Sequence, residues 1–241
     1  MRRCIVSAFV ALVLGLASTA APAAWALCAG GFNTATATTT ASVNLTVAAG
    51  ETVIIGIVIF DATATVSSLT IAGESDPTAL GTLTRGSAGI SNASVQLFVL
   101  DHAATSGSKL ITLTASSAVF VSVGARCYSG GRTGTVADPG VVAGAQATSV
   151  SLTTSVAGDL IVSVTVCAGG NAPTAGFTQD VFHHDVEDDQ MFYLTSLDAG
   201  APGSKTADFT GTGSAVMQAA AFMPAAASAT GTHRALTGAG A

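Results

Sequence analysis

The chain has 241 residues, with 8 basic and 14 acidic side chains, a charged fraction of 9% and a mean hydropathy of +0.59. Disordered chains combine low hydropathy with high charge, so this composition predicts a folded core. Backbone binding to nucleic acid needs clustered lysine and arginine, which the sequence lacks, and that partner class is excluded.

Residues 1–26 read as a secretory signal. Arg2 and Arg3 precede an apolar run from Ile5 to Leu16, and small residues follow as far as Ala24-Trp25-Ala26. Cleavage is expected after Ala26. The apolar run is shorter than the ~20 residues that span a bilayer, so no membrane association is expected once the signal is removed. A lipid anchor on Cys28 is disfavoured by Leu27, which stands where a small residue is required. Loss of Arg2 and Arg3 leaves 6 basic against 14 acidic groups, a formal charge of −8. Cys28, Cys127 and Cys167 remain, an odd number for an oxidising compartment. Strand alternation puts Cys127 with Val119, Val121 and Val123, as a buried thiol outside any bridge. A Cys28–Cys167 disulfide is the candidate alternative.

After a linker over residues 27–40, the sequence repeats itself. Ser42 to Ile57 matches Ser149 to Val164, with one extra residue before the second turn glycine. Each copy reads as a strand, an Ala-Gly-acid turn at Gly50-Glu51 or Gly158-Asp159, and a strongly apolar strand. Leu83-Thr84-Arg85 answers Phe177-Thr178-Gln179. Gln96-Leu97-Phe98 answers Gln190-Met191-Phe192, and Gly107-Ser108-Lys109 answers Gly203-Ser204-Lys205. Closing strands begin at Ala118-Val119 and Ala215-Val216. The halves, residues 41–128 and 147–224, differ by an insertion in the first: a strand from Thr65 to Ala72 and a turn at Glu74 to Pro77. The Gly- and Ala-rich segment from Ser129 to Thr148 is expected to serve as a long crossover.

Enrichment in β-branched residues and alternation between Gly, Asp, Ser and Pro turns predict about a dozen strands and no helix. The expected fold is all-β: a single antiparallel two-sheet sandwich over residues 41–224, jelly-roll-like and formed by two tandem repeats. Residues 225–241 are expected to be a disordered tail.

The ordered set of an Ala-Gly-acid hairpin, a Leu-Thr-Arg strand, a Gln-x-Phe strand, a Gly-Ser-Lys hairpin and a closing Ala-Val strand resembles a class of jelly-roll, lectin-like (concanavalin-like) β-sandwich domains. Such domains occur in uncharacterised exported bacterial and phage-like proteins. The resemblance covers Ala41 to Pro224 and implies a fold and an extracellular or cell-surface setting. It implies no catalytic residue, because its motifs are turn and core positions.

Chemistry-bearing residues concentrate in the run from His183 to Asp189, which holds 4 of the 14 acids. If extended, it aligns Asp185, Glu187 and Asp189 on one face, with His183 beside them. Three convergent carboxylates suit Ca²⁺, a histidine adds a transition-metal ligand, and a facing carboxylate pair would suit glycoside hydrolysis. The corresponding stretch of the first half reads as an ordinary loop, and a solvated loop is the expectation here too. No cofactor is expected, and no nucleophile elbow or phosphate loop is present. Sugar recognition favours exposed aromatics, and Tyr128 and Tyr193 sit at strands where core packing is expected. The expected function is therefore a non-enzymatic extracellular structural or adhesion module, open to self-assembly. A carbohydrate-binding or Ca²⁺-dependent lectin-like module is the alternative, and a glycoside hydrolase the third reading.

Overall fold

The computed structural model describes residues 24–88, 91–168, 172–174, 176–185, 190–210 and 214–226. Residues 1–23 of the expected 1–26 signal and residues 227–241 of the expected 225–241 tail lie outside the described residues. Among the described residues every regular element is a strand. In the first part of the chain they are β1 (Ala26–Val47), β2 (Thr52–Phe60), β3 (Val66–Ile71), β4 (Thr78–Ala88), β5 (Ser91–Leu100) and β6 (Gly107–Ser129). The second part holds β7 (Ala137–Ala145), β8 (Ser149–Thr154), β9 (Leu160–Ala168), β10 (Ala172–Pro173), β11 (Thr178–Asp185), β12 (Gln190–Asp198), β13 (Gly203–Thr210) and β14 (Ala215–Phe222). No helix among the described residues is long and apolar enough to cross a membrane.

The strands form three antiparallel sheets rather than two. One runs β1-β6-β2-β5-β4, with β3 attached to β6; a second runs β11-β12-β9-β14-β7; a small third sheet runs β10-β13-β8. The stretch expected to be a linker is strand, since β1 already begins at Ala26. The crossover region likewise contains β7, which pairs with β14.

Length explains part of this layering. β1 and β6 are paired along almost their whole course, with register breaks between Ala35 and Thr40. At that point Ala37 adopts a left-handed φ of 51°. The paired ribbon then folds back over its own sheet: a side chain at Gly31 would meet Val43 Cγ2 at 2.7 Å, and Asn33 Nδ2 donates to Ser42 O at 2.7 Å. Folding back encloses Val43, Leu45, Ile111 and Leu113 with Ile55, Ile57, Ile59, Val121 and Val123 in one buried cluster. On the other side of the molecule, β8 and β13 cover the outer face of the second large sheet, where Val150, Leu152, Ala207 and Phe209 pack with Ile161, Met217 and Ala221.

Between the two large sheets lies the central core. Alternation along β2 sends Ile54 and Val58 inward, where they meet Val162, Val164 and Val166 of β9, together with Leu97, Val99, Leu194, Val216 and Phe222. Packing proceeds strand over strand: β1 and β6 lie against β11, β2 against β9, β5 against β9 and β14, and β4 against β14 and β7. Glycines bring the sheets close. A Cβ at Gly56 would lie 2.7 Å from Val164 Cγ2, one at Gly124 2.6 Å from Phe192 Cε1, and one at Gly86 2.8 Å from Val216 Cγ2.

A polar bridge also crosses this core. β4 and β5 lose register between Leu80 and Thr84, which takes ladder partners from nearby backbone groups. Gln218 of β14 supplies replacements: its Oε1 accepts from Leu97 N at 2.6 Å and its Nε2 donates to Thr82 O at 2.9 Å. A buried amide whose donor and acceptor are both used carries little of the penalty attached to an unpaired polar group.

Both Ala-Gly-acid turns close in the same way. Gly50 and Gly158 have φ of 84° and 78°, a region that penalises any Cβ. Gly50 N donates to Ala103 O while Ala103 N donates to Glu51 O, both at 2.8 Å. Gly158 N donates to Gly200 O at 2.7 Å and Ala199 N to Asp159 O at 2.8 Å. The strand expected from Thr65 to Ala72 is β3, which pairs with β6. Glu74, just beyond it, bonds Lys109 Nζ at 2.6 Å and accepts from Ala104 N and Thr105 N, and these partners hold its carboxyl down to about 2.

Gly56 and Val164 each stand six residues beyond their turn glycine and meet as hole and knob. Gly56→Val is expected to overpack the seam and cost about 1–3 kcal/mol in urea unfolding. Val164→Gly is expected to destabilise by leaving a void, and the exchanged pair Gly56→Val with Val164→Gly to recover most of the loss. Additive losses in the double variant would contradict direct packing.

Candidate functional site

The acidic run begins on β11. His183 lies there opposite Phe192, and its ring stacks on Phe32 of β1 with centroids 4.6 Å apart and planes at 19°. This contact joins β11 to β1. Asp185 ends β11 opposite Gln190. Glu187 and Asp189 fall outside the described residues, so the convergence of the three acids is not on view.

Among the described residues, the cluster of metal-ligating type is elsewhere: Cys28, Glu51 and Cys127, whose ligand atoms lie within 4.8 Å of one another. The ladder between β1 and β6 sets Leu27 opposite Tyr128, which brings Cys28 beside Cys127. Their sulfurs are bonded, with Cα atoms 5.2 Å apart. The pairing therefore differs from both sequence expectations: Cys127 is bridged, and Cys28 does not join Cys167, which is buried in the outer core of the second sheet. Sulfurs held in a disulfide are not thiolate ligands, so the bridge and a metal are alternatives at this position. Glu51 Oε2 is engaged by Ala48 N at 2.8 Å, across the turn.

The second half carries a carboxylate pair at the matching place. Ala137 lies opposite Phe222 on β14, and Asp138 follows it just as Cys28 follows Leu27. Asp138 Oδ2 accepts from Ser155 N at 3.0 Å and Ser155 Oγ at 2.8 Å. Asp159 Oδ2 accepts from Val156 N at 3.2 Å, repeating the Glu51 turn closure, while Asp159 Oδ1 is buried with no donor. Burial raises the Asp159 carboxyl and the neighbouring Asp138 charge raises it further, to about 6, against the lowering effect of Val156 N–H. Burial and the adjacent Asp138 thus favour the protonated form of Asp159.

A third buried cluster joins the sheets near the same end. Tyr128 is fully buried and donates to Asp180 Oδ2 at 2.5 Å; Arg126 Nη1 donates to Asp180 O at 3.3 Å. Asp180 sits at the register break of β11 between Gln179 and Val181, which turns its side chain toward the first sheet. Burial raises its carboxyl, opposed by the Tyr128 hydroxyl, and burial pushes the Tyr128 phenol well above its usual value. Tyr193, the other tyrosine, is buried between Phe182 and Phe209 at 4.9 and 5.2 Å.

Asp138, Asp159 and Asp180 carried no signal as a group, because each stands alone in sequence and only strand pairing over long separations assembles them. Of these clusters, the Tyr128–Asp180 pair ties the two large sheets together in the interior. No protein-family model, curated protein or solved structure matches the chain.

Two outcomes follow. Cys28→Ser is expected to cost about 2–4 kcal/mol and to make the melting temperature insensitive to reductant. A carboxyl whose folded pKa is raised weakens the fold as pH climbs from the unfolded value near 4 to about 6. Asp159→Asn is accordingly expected to stabilise by about 1–2 kcal/mol at pH 7 after allowance for solvent screening, with the gain vanishing below about pH 4. Urea midpoints across that range provide the check.

Proposed function

We propose that the chain is an exported structural or adhesion module, an extracellular β-sandwich assembled from a duplicated unit. The observation that carries the reading is the direction of its polarity. Asp138, Tyr128 and Gln218 are buried and spent on internal bonds, and Asp159 is buried with its Oδ2 bonded to the turn backbone. The outward positions of the covering strands are mostly hydroxyl residues instead: Ser67, Ser68 and Thr70 on β3, Ser149, Ser151 and Thr153 on β8, Ser204 and Thr206 on β13, with Asp208 the one acid on that face of β13. Ser151 and Thr206 bond across neighbouring strands at 2.9 Å, as do Ser42 and Thr112. Such a surface is weakly charged and suited to packing or adhesion, and a disulfide suits an oxidising setting.

Duplication is supported by the sheet orders. Matching β2 with β9 through their turn glycines pairs β5 with β12, β4 with β11, β6 with β14, and the start of β1 with β7, and the two orders then coincide. Stacked face to face, they bring β1 over β11 and β4 over β7, the arrangement of an approximate two-fold axis passing near Gly56 and Val164. The unit resembles a dimer joined into one chain.

Fractionation of the producing cells, with a glycan array run with and without chelator, tests the function. Recovery at the surface or in assembled particles without specific glycan binding is expected. Specific binding abolished by chelation would overturn this reading in favour of a Ca²⁺-dependent lectin.

A further inference from the structure

We propose that export processing spares Trp25, with cleavage at the Ala23–Ala24 bond, so that the sole tryptophan is a structural residue of the mature protein. This rests on the export reading. The small-residue signal around Ala24-Trp25-Ala26 points to cleavage after Ala26, which would discard the indole. The structure gives that indole a built position at the seam of the two halves. Trp25 Nε1 donates to Gly158 O at 3.1 Å, in the turn of the second half. Its ring meets Tyr128 of the first half edge-on, with centroids 6.2 Å apart, and packs against the central core.

The opposite wall is shaped to receive it. Gly130 has a φ of 92°, and a Cβ there would lie 2.6 Å from Ala24 O and 3.3 Å from Trp25 Cα. At Gly131 a Cβ would lie 3.0 Å from Trp25 Cη2 and 2.8 Å from Thr52 Oγ1. Two successive glycines thus leave room for residues 24 and 25, and the turn carbonyl of Gly158 gains an indole donor that a cut after Ala26 would remove. Tyr128, which is fully buried and holds Asp180, is covered in part by the same ring. Trp25 therefore links the first half, the second half and the Tyr128–Asp180 pair in one contact set.

Upstream, the residues satisfy processing equally well. Ala21-Pro22-Ala23 presents alanine at both small-residue positions before the Ala23–Ala24 bond, the pattern that a signal peptidase accepts. Hydrolysis of that bond adds one water and leaves a free α-amino group on Ala24, with Trp25 next in line.

Intact-mass measurement and N-terminal sequencing of the exported wild-type protein test the proposal. A terminus that retains Trp25, expected at Ala24, supports it; a terminus at Ala26 or beyond overturns it. Trp25→Phe provides a second measurement on the exported protein: a lower melting temperature is expected, whereas an unchanged mass and stability relative to wild type would show that residue 25 is absent from the mature chain and overturn the proposal. Failure of the chain to leave the cell would instead sink the export reading itself, an outcome distinct from export with the later terminus.

Discussion

The structure depends on how closely two five-stranded faces approach at the seam between β2 and β9. Close-packed interiors have no room to spare, and at this seam Gly56 opposite Val164 lets one backbone receive the other's side chain. Gly124 does the same for Phe192, and Gly86 for Val216. The Gly56–Val164 contact is asymmetric, a glycine on one strand facing a valine on the other. A seam of two glycines would leave a void and a seam of two valines would clash, so the asymmetric pair favours association of unlike halves.

Bringing sheets so close would be costly if backbone groups lost partners on the way. The break between β4 and β5 shows the compensation, because Gln218 satisfies Leu97 N and Thr82 O from the facing sheet. Tyr128, Arg126 and Asp180 tie the sheets in a second place. The two turn ends differ chemically. Where the first half has a covalent bridge beside Glu51, the second has Asp138 beside Asp159, whose raised pKa makes that turn sensitive to pH.

Much of the strand content was legible because β-branched runs and turn glycines are local signals. Gly107-Ser108-Lys109 and Gly203-Ser204-Lys205 occupy matching ladder positions, opposite Val47 and Thr154 at their starts. The Gln-x-Phe match is different. Counting from the turn glycines, Gly56 pairs with Leu97 and Val164 with Leu194, which sets Gln96 level with Tyr193 instead of Gln190. The slip is three residues, an odd number, so it reverses the faces: Phe98 enters the outer core and Phe192 the central one. Folding the long β1–β6 ribbon over its own sheet was not legible either, since bends at Ala37 leave no sharp sequence signal. Without that ribbon neither the Cys28–Cys127 bridge, which spans 99 residues of chain, nor the cover over the first sheet follows from the sequence.

A glycine-lined seam this close makes the two parts of the chain one cooperative unit. Differential scanning calorimetry of the oxidised protein addresses it most directly. A single transition with equal calorimetric and van't Hoff enthalpies is the predicted result. Two resolved transitions, each close to the enthalpy of half the chain, would contradict it.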